Sequence, residues 1–139
     1  MAYTARVVEY FYATVGTPTD EAYAMIHSLS DLGVNFLALN SVPLGPSTTQ
    51  LTLFPEDPRR LQATAAGAKL LLEGPHSAVL VQGDDEIGAL AHIHERVQRH
   101  GIEVYATTGI TDGRGGYGYI LYVRAGLADQ AVKALAGER

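Results

Sequence analysis

Two stretches of the chain carry apolar residues at spacings of three and four. Each stretch ends on a glycine and then passes into alternating apolar positions. The first is Asp20 to Ala38, DEAYAMIHSLSDLGVNFLA, and the second is Gly88 to Ala106, GALAHIHERVQRHGIEVYA. Setting Gly33 on Gly101 aligns them at an offset of 68 residues. Identity is poor, limited to Gly33/Gly101 and Ala38/Ala106, but the apolar positions coincide: Ala22/Leu90, Met25/Ile93, Leu29/Val97, Val34/Ile102 and Phe36/Val104. Such a pattern predicts a helix, its glycine C-cap and a strand, twice over.

The flanking segments repeat the scheme. Val7 to Val15 and Ala78 to Gln82 are rich in β-branched and aromatic residues and predict strands. Short polar loops, GTPTDE and GDDEI, lead from them into the helices. After each helix come two strands joined by a Gly/Pro-marked turn. They are Asn35 to Val42 with Thr48 to Phe54, and Glu103 to Thr111 with Gly116 to Val123. A second helix follows each pair, Pro58 to Ala68 and Leu127 to Ala136, and Lys69 to Glu73 is expected as a fourth strand. The fold class expected is therefore α+β: two tandem ferredoxin-like βαββαβ units, residues 1–74 and 75–139, with antiparallel sheets and helices on one face. The second unit lacks an evident closing strand, which must come from elsewhere. An open sheet edge pairs with something, so a homodimer is expected.

Composition narrows the function. The chain has 139 residues, 47% hydrophobic and 18% charged, which is a globular composition. It has no cysteine, so disulfides, thiolate metal sites and cysteine nucleophiles are excluded. Neither a secretory leader nor a membrane-length apolar run is visible, and a cytosolic location is expected. The net charge of −5 offers no general attraction for a polyanion.

Few motifs carry chemistry. His92 and His94 form an HxH, but on a helix they lie about 200° apart and cannot share one metal ion. Asp84-Asp85-Glu86 could do acid–base work but reads as capping residues ahead of a helix. Gly113 to Gly118, GRGGYG, matches a dinucleotide-binding pattern literally, yet a strand follows it where a helix is required. The strand Gly116 to Tyr122, GYGYILY, resembles the aromatic motif of RNA-recognition domains and supplies an alternative function, nucleic-acid binding. Against it stand Leu80 where a second stacking ring belongs and the acidic charge. An acylphosphatase-like enzyme would need an arginine in the loop before the first helix, and neither loop has one. No cofactor and no catalytic residue is expected.

Gly88, at or beside a helix start, allows close approach to its backbone, and free amides there favour a carboxylate. The competing reading is a glycine that relieves a packing contact.

The segment DDEIGALAHIHERVQRHGIEV resembles the opening of an ACT domain through Asp84, Gly88, Ala89, Leu90, Ile93, Gly101 and Ile102. The first unit is similar through Leu29, Gly33, Val34 and Phe36, but has Asp20 where Gly88 stands. The resemblance implies a non-catalytic regulatory or sensor protein that binds an amino acid between two ACT copies. Carried over by position, the pocket comprises Asp84, Asp85, Ile87, Gly88, Ala89 and Leu90. A strand faces it, either Asn40 and Ser41 of the first unit or Thr107 and Thr108 across an oligomer. The first-unit loop, Thr17, Thr19 and Asp20, lacks the glycine for an equivalent pocket.

Overall fold

A computed structural model describes residues 2–16 and 20–137. The element order is β1 (Tyr3–Gly16), α1 (Asp20–Asp31), β2 (Phe36–Pro43), β3 (Thr48–Pro55), α2 (Pro58–Gly67), β4 (Glu73–Asp84), α3 (Ala89–Arg99), β5 (Val104–Thr111), β6 (Gly116–Val123) and α4 (Ala128–Ala136). The 68-residue repeat holds in the strand registers. Phe11↔Leu53 between β1 and β3 becomes Val79↔Leu121 between β4 and β6. The irregularity between Phe36 and Ala38 in β2 recurs between Val104 and Ala106 in β5. Gly33 and Gly101 both have left-handed φ, +88° and +75°. At each, the glycine amide bonds to the carbonyl three residues back, in the last turn, and the next residue's amide to the carbonyl before that one. The bonds are Gly33 N to Ser30 O with Val34 N to Leu29 O, and Gly101 N to Gln98 O with Ile102 N to Val97 O. This is the Schellman arrangement that stops a helix.

The chain forms two compact units, Glu9–His76 and Met1–Val8 with Ser77–Arg139. They depart from the units read from the sequence in two respects, the first being a boundary after His76 rather than Gly74. The other is that the first eight residues go with the second unit, so β1 is shared between the two, as is β4. In the first unit the strand order is β2-β3-β1-β4, and in the second β1-β4-β6-β5. The missing closing strand of the second unit is thus the first half of β1. It runs antiparallel to β4: Ala2 lies beside Asp84, and Tyr10 lies near Gly74. The closing strand of the first unit is the start of β4, and the strand expected over Lys69 to Glu73 does not form. Lys69 sits in the left-handed region at φ 59°, completing a Schellman stop for α2 through Lys69 N to Ala66 O and Leu70 N to Ala65 O. Leu70 and Leu72 then pack on the core as a connector. β4 begins only at Glu73 and passes straight through Gly74-Pro75.

Odd-numbered residues at the two ends of β1 pack on the cores. Phe11, Ala13 and Val15 join Leu51, Leu53, Leu29, Val34 and Leu61 in the first core. Tyr3 and Ala5 pack on the second, which contains Val79, Val81, Ile93, Val97, Tyr117, Tyr119, Leu121 and Leu135. Burying such side chains is worth roughly 1.5–3 kcal/mol each. Leu51 to Pro55, Ala78 to Val81 and Tyr119 to Val123 are buried at every position. That is why they read as continuous apolar runs rather than alternations. The edge strands differ sharply: β5 is exposed from Tyr105 to Thr111, and β2 from Ser41 to Pro43.

Candidate functional site

The loop from Asp84 to Gly88 joins β4 to α3. Gly88 is the N-cap of α3 with φ +82°, a conformation that glycine adopts without penalty. A Cβ built there meets nothing within 4 Å. Relief of an internal packing contact is therefore not what the glycine does; backbone conformation and open space account for it. The capping reading of Asp84-Asp85-Glu86 also fails, because no side chain caps α3 and no acidic residue lies in its first turn. The Ala89 amide bonds to the Glu86 carbonyl at 3.0 Å, a turn that folds the loop back on itself. The amides of Leu90 and Ala91 lie within the first turn, where a helix offers no backbone acceptor of its own.

The sequence-derived residues are placed as follows. Asp84, Asp85, Ile87 and Gly88 are all exposed around the helix start, Ile87 at 103% of its reference area. Ala89 is buried in the core and holds the helix down, so it presents only backbone. The Leu90 side chain lies against β5 and β6: a Cβ on Gly109 would stand 2.8 Å from its Cδ1 and 3.0 Å from Tyr119 Cδ1. Thr107 and Thr108 are exposed on β5, opposite Leu121 and Ile120, in the same unit as the loop. Asn40 and Ser41 lie on β2 of the first unit, opposite Thr52 and Leu51. Thr17 and Thr19 lie outside the described residues, as does the side chain of Asp20.

Two contacts fix the loop that sequence reasoning missed. Asp85 N donates to Gly115 O at 2.8 Å, tying the loop to the β5–β6 turn. That turn is organised by Asp112, whose Oδ1 accepts from Arg114 N at 2.6 Å and Gly116 N at 3.0 Å. These amides, Arg114 first, hold the Asp112 carboxyl below its ordinary pKa. An Asp two residues before an exposed backbone turn was the available signal.

The aromatic strand offers no stacking platform. Tyr117 and Tyr119 are buried beneath the helices at 6% and 7% exposure, and Tyr119 OH lies 3.1 Å from His94 Nδ1. Tyr122, on the other face, is buried as well. Single-strand recognition needs exposed rings, so the GYGYILY reading is withdrawn. Among the described residues no group of three or more His, Asp or Glu could hold a metal ion, and no helix is long and apolar enough to cross a membrane. A surface recess of about 390 Å³ exists, lined by His100, Ile102, Gln130, Lys133, Ala134 and Gly137. It lies at the far end of α3, about 16 Å along the helix from Gly88, and does not include the loop.

No family model and no curated protein sequence matches the chain. Solved structures do. The regulatory subunit of aspartate kinase from Thermus thermophilus, in its ligand-free form, is similar at TM-score 0.69 and 12% identity, over 99% of this chain and 97% of that one. The fold is that of the ACT domains. The chain is also similar to protein BT0572 from Bacteroides thetaiotaomicron, at TM-score 0.80 and 14% identity over 96% of this chain and 89% of that one. Clostridium acetobutylicum aspartate kinase, described as an allosteric enzyme, matches at TM-score 0.52 and 12% identity, with 96% of this chain aligned to 34% of that one.

Proposed function

We propose that this ACT-fold protein is a non-catalytic regulatory module that binds an amino acid or similar small zwitterion at the Asp84–Leu90 loop. The observation that supports it is the exposed, side-chain-free start of α3 at Gly88, flanked by exposed Asp84 and Asp85. First-turn amides suit the ligand carboxylate, and the helix dipole adds to them. The two aspartates suit its ammonium group through charge-assisted hydrogen bonds. A dianionic phosphate meets the same aspartates and is repelled. The likeness to aspartate kinase regulatory subunits fits this reading. The bare Ile87 side chain and the exposed β2 and β5 edges fit a homodimer that completes the pocket with a facing strand.

Calorimetric titration of the twenty protein L-amino acids is the test, applied to wild type, Asp84→Ala, Gly88→Ala and Gly101→Ala. Gly88 and Gly101 both have left-handed φ and open space around the missing Cβ. Alanine therefore carries the same backbone cost at each, of about 1–2 kcal/mol. Gly88→Ala and Asp84→Ala are expected to weaken binding at least tenfold, while Gly101→Ala binds like wild type. Equal affinity in Gly88→Ala and Gly101→Ala would place the ligand elsewhere.

A further inference from the structure

We propose that the first half of β1 braces the Asp84–Gly88 loop at its β4 end and anchors the helix that leaves it, which makes Gly83, Tyr3 and Arg96 positioning residues for the site. This rests on the reading of that loop as a ligand site.

The first end of the loop is the last residue of β4. There the Asp84 amide donates to the Ala2 carbonyl at 3.2 Å. The neighbouring Gly83 lies so close to the passing strand that a Cβ would stand 2.5 Å from Ala2 O and 2.8 Å from Tyr3 Cβ. Gly83 has no left-handed φ, unlike Gly88 and Gly101. What excludes a side chain at Gly83 is therefore the backbone of β1, which yields only if the strand moves.

The second end of the loop runs into α3, and the same strand holds that helix at its last turn, through Arg96. The Tyr3 hydroxyl donates to the Leu135 carbonyl of α4 at 2.7 Å and accepts from the Arg96 guanidinium of α3. Arg96, only 5% exposed, also donates to Leu135 O at 3.2 Å, and its guanidinium carbon lies 5.6 Å from the centre of the Tyr3 ring. Two adjacent residues, Ala2 and Tyr3, thus fix the β4 end of the loop through Asp84 and the α3 side through Arg96. A zwitterion that bridges Asp84 and the first-turn amides needs their separation held to within about 0.5 Å.

Two variants loosen the brace without touching the loop. Gly83→Ala drives a wedge between β4 and β1. Tyr3→Phe keeps the ring and removes the hydroxyl. Gly118→Ala is the control, since Gly118 lies in β6 of the same unit, opposite Gln82, and its Cβ would meet nothing within 4 Å. Hydrogen exchange of the unliganded protein is expected to be at least tenfold faster at amides 84–91 in both Gly83→Ala and Tyr3→Phe than in wild type. It is expected to be unchanged at 58–67 in the first unit, and unchanged throughout in Gly118→Ala. Titration with the twenty L-amino acids is expected to show at least a tenfold loss of affinity in the same two variants. If Gly83→Ala does not fold, Tyr3→Phe alone decides. Wild-type exchange at 84–91 in the variants overturns the brace. Faster exchange with wild-type affinity overturns the positioning role. If wild type binds none of the twenty, the proposed ligand class fails, and exchange alone still judges the brace.

Discussion

Arg60 lies directly over Gly33: a Cβ on that glycine would stand 2.5 Å from an Arg60 guanidinium nitrogen, which makes a long, 3.5 Å contact with the Leu32 carbonyl. α1 has no basic residue in its own last turn, so α2 supplies the cation at its carbonyl end. At the repeat-equivalent Gly101 nothing lies within 4 Å. Gly101→Ala is expected to cost about 1–2 kcal/mol, the penalty of a left-handed Cβ. Gly33→Ala should cost that plus a few tenths for displacing Arg60, whose flexible end moves easily. Urea denaturation of both variants measures the difference. A Gly33→Ala cost of more than about 4 kcal/mol would mean that Arg60 is fixed rather than pliant.

Lys69 occupies, without being glycine, the same left-handed position that Gly33 and Gly101 occupy. Lys69→Gly is therefore expected to stabilise the protein by about 0.5–1 kcal/mol, the relieved strain being partly offset by unfolded-chain entropy. A raised urea midpoint with an unchanged slope is the expected result, and a lowered midpoint would refute it.

Tyr117 titrates above its ordinary pKa, first because burial disfavours the phenolate and then because Tyr3, Asp84 and Glu86 add negative charge nearby. A raised folded pKa means that this contribution is fully present below pH 10, the unfolded value, and is lost as pH rises through the folded value. Wild type should lose stability above pH 10 more steeply than Tyr117→Phe. Urea midpoints collected from pH 8 to 11 give the comparison, with parallel curves as the contrary outcome.

The exposed edge strands carry apolar side chains: Leu39 and Val42 on β2, Tyr105 and Ile110 on β5. Unpaired edges of this kind associate unless a charge prevents it. Light scattering at micromolar concentration is expected to give twice the chain mass. Val42→Lys or Ile110→Lys, whichever edge is used, should return the mass to that of one chain. A monomeric wild type would remove the dimer from the proposed function.

The repeat was legible because its signals are local. A glycine stop and apolar positions three and four apart located α1 and α3, and the 68-residue offset carried over to every strand register. The closing strands were not legible, because pairing decides them. Tyr3 to Val8 carries a fair strand pattern, but only its position beside β4 reveals which core Tyr3 and Ala5 fill. Leu70 to Leu72 looks like a strand and becomes a connector because the turn at Lys69 delivers Leu70 and Leu72 to the core. At the candidate site, sequence placed Gly88 at the helix start, where the structure has it as the N-cap of α3. It could not show that Ala89 points inward, that Asp112 shapes the adjoining turn, or that GYGYILY turns its rings under the helices.

The sharing of β1 and β4 sets how the chain comes apart. A protease cut between Gly74 and Pro75 would leave each fragment holding a strand that the other needs, so neither piece carries a complete βαββαβ set. Read instead from Ser77 through α4 and on into Tyr3–Val8, the second unit recovers the conventional order. In that sense it is a circularly permuted unit whose ends lie inside its neighbour's strands. Fragments 1–74 and 75–139 are therefore expected to regain structure only when mixed.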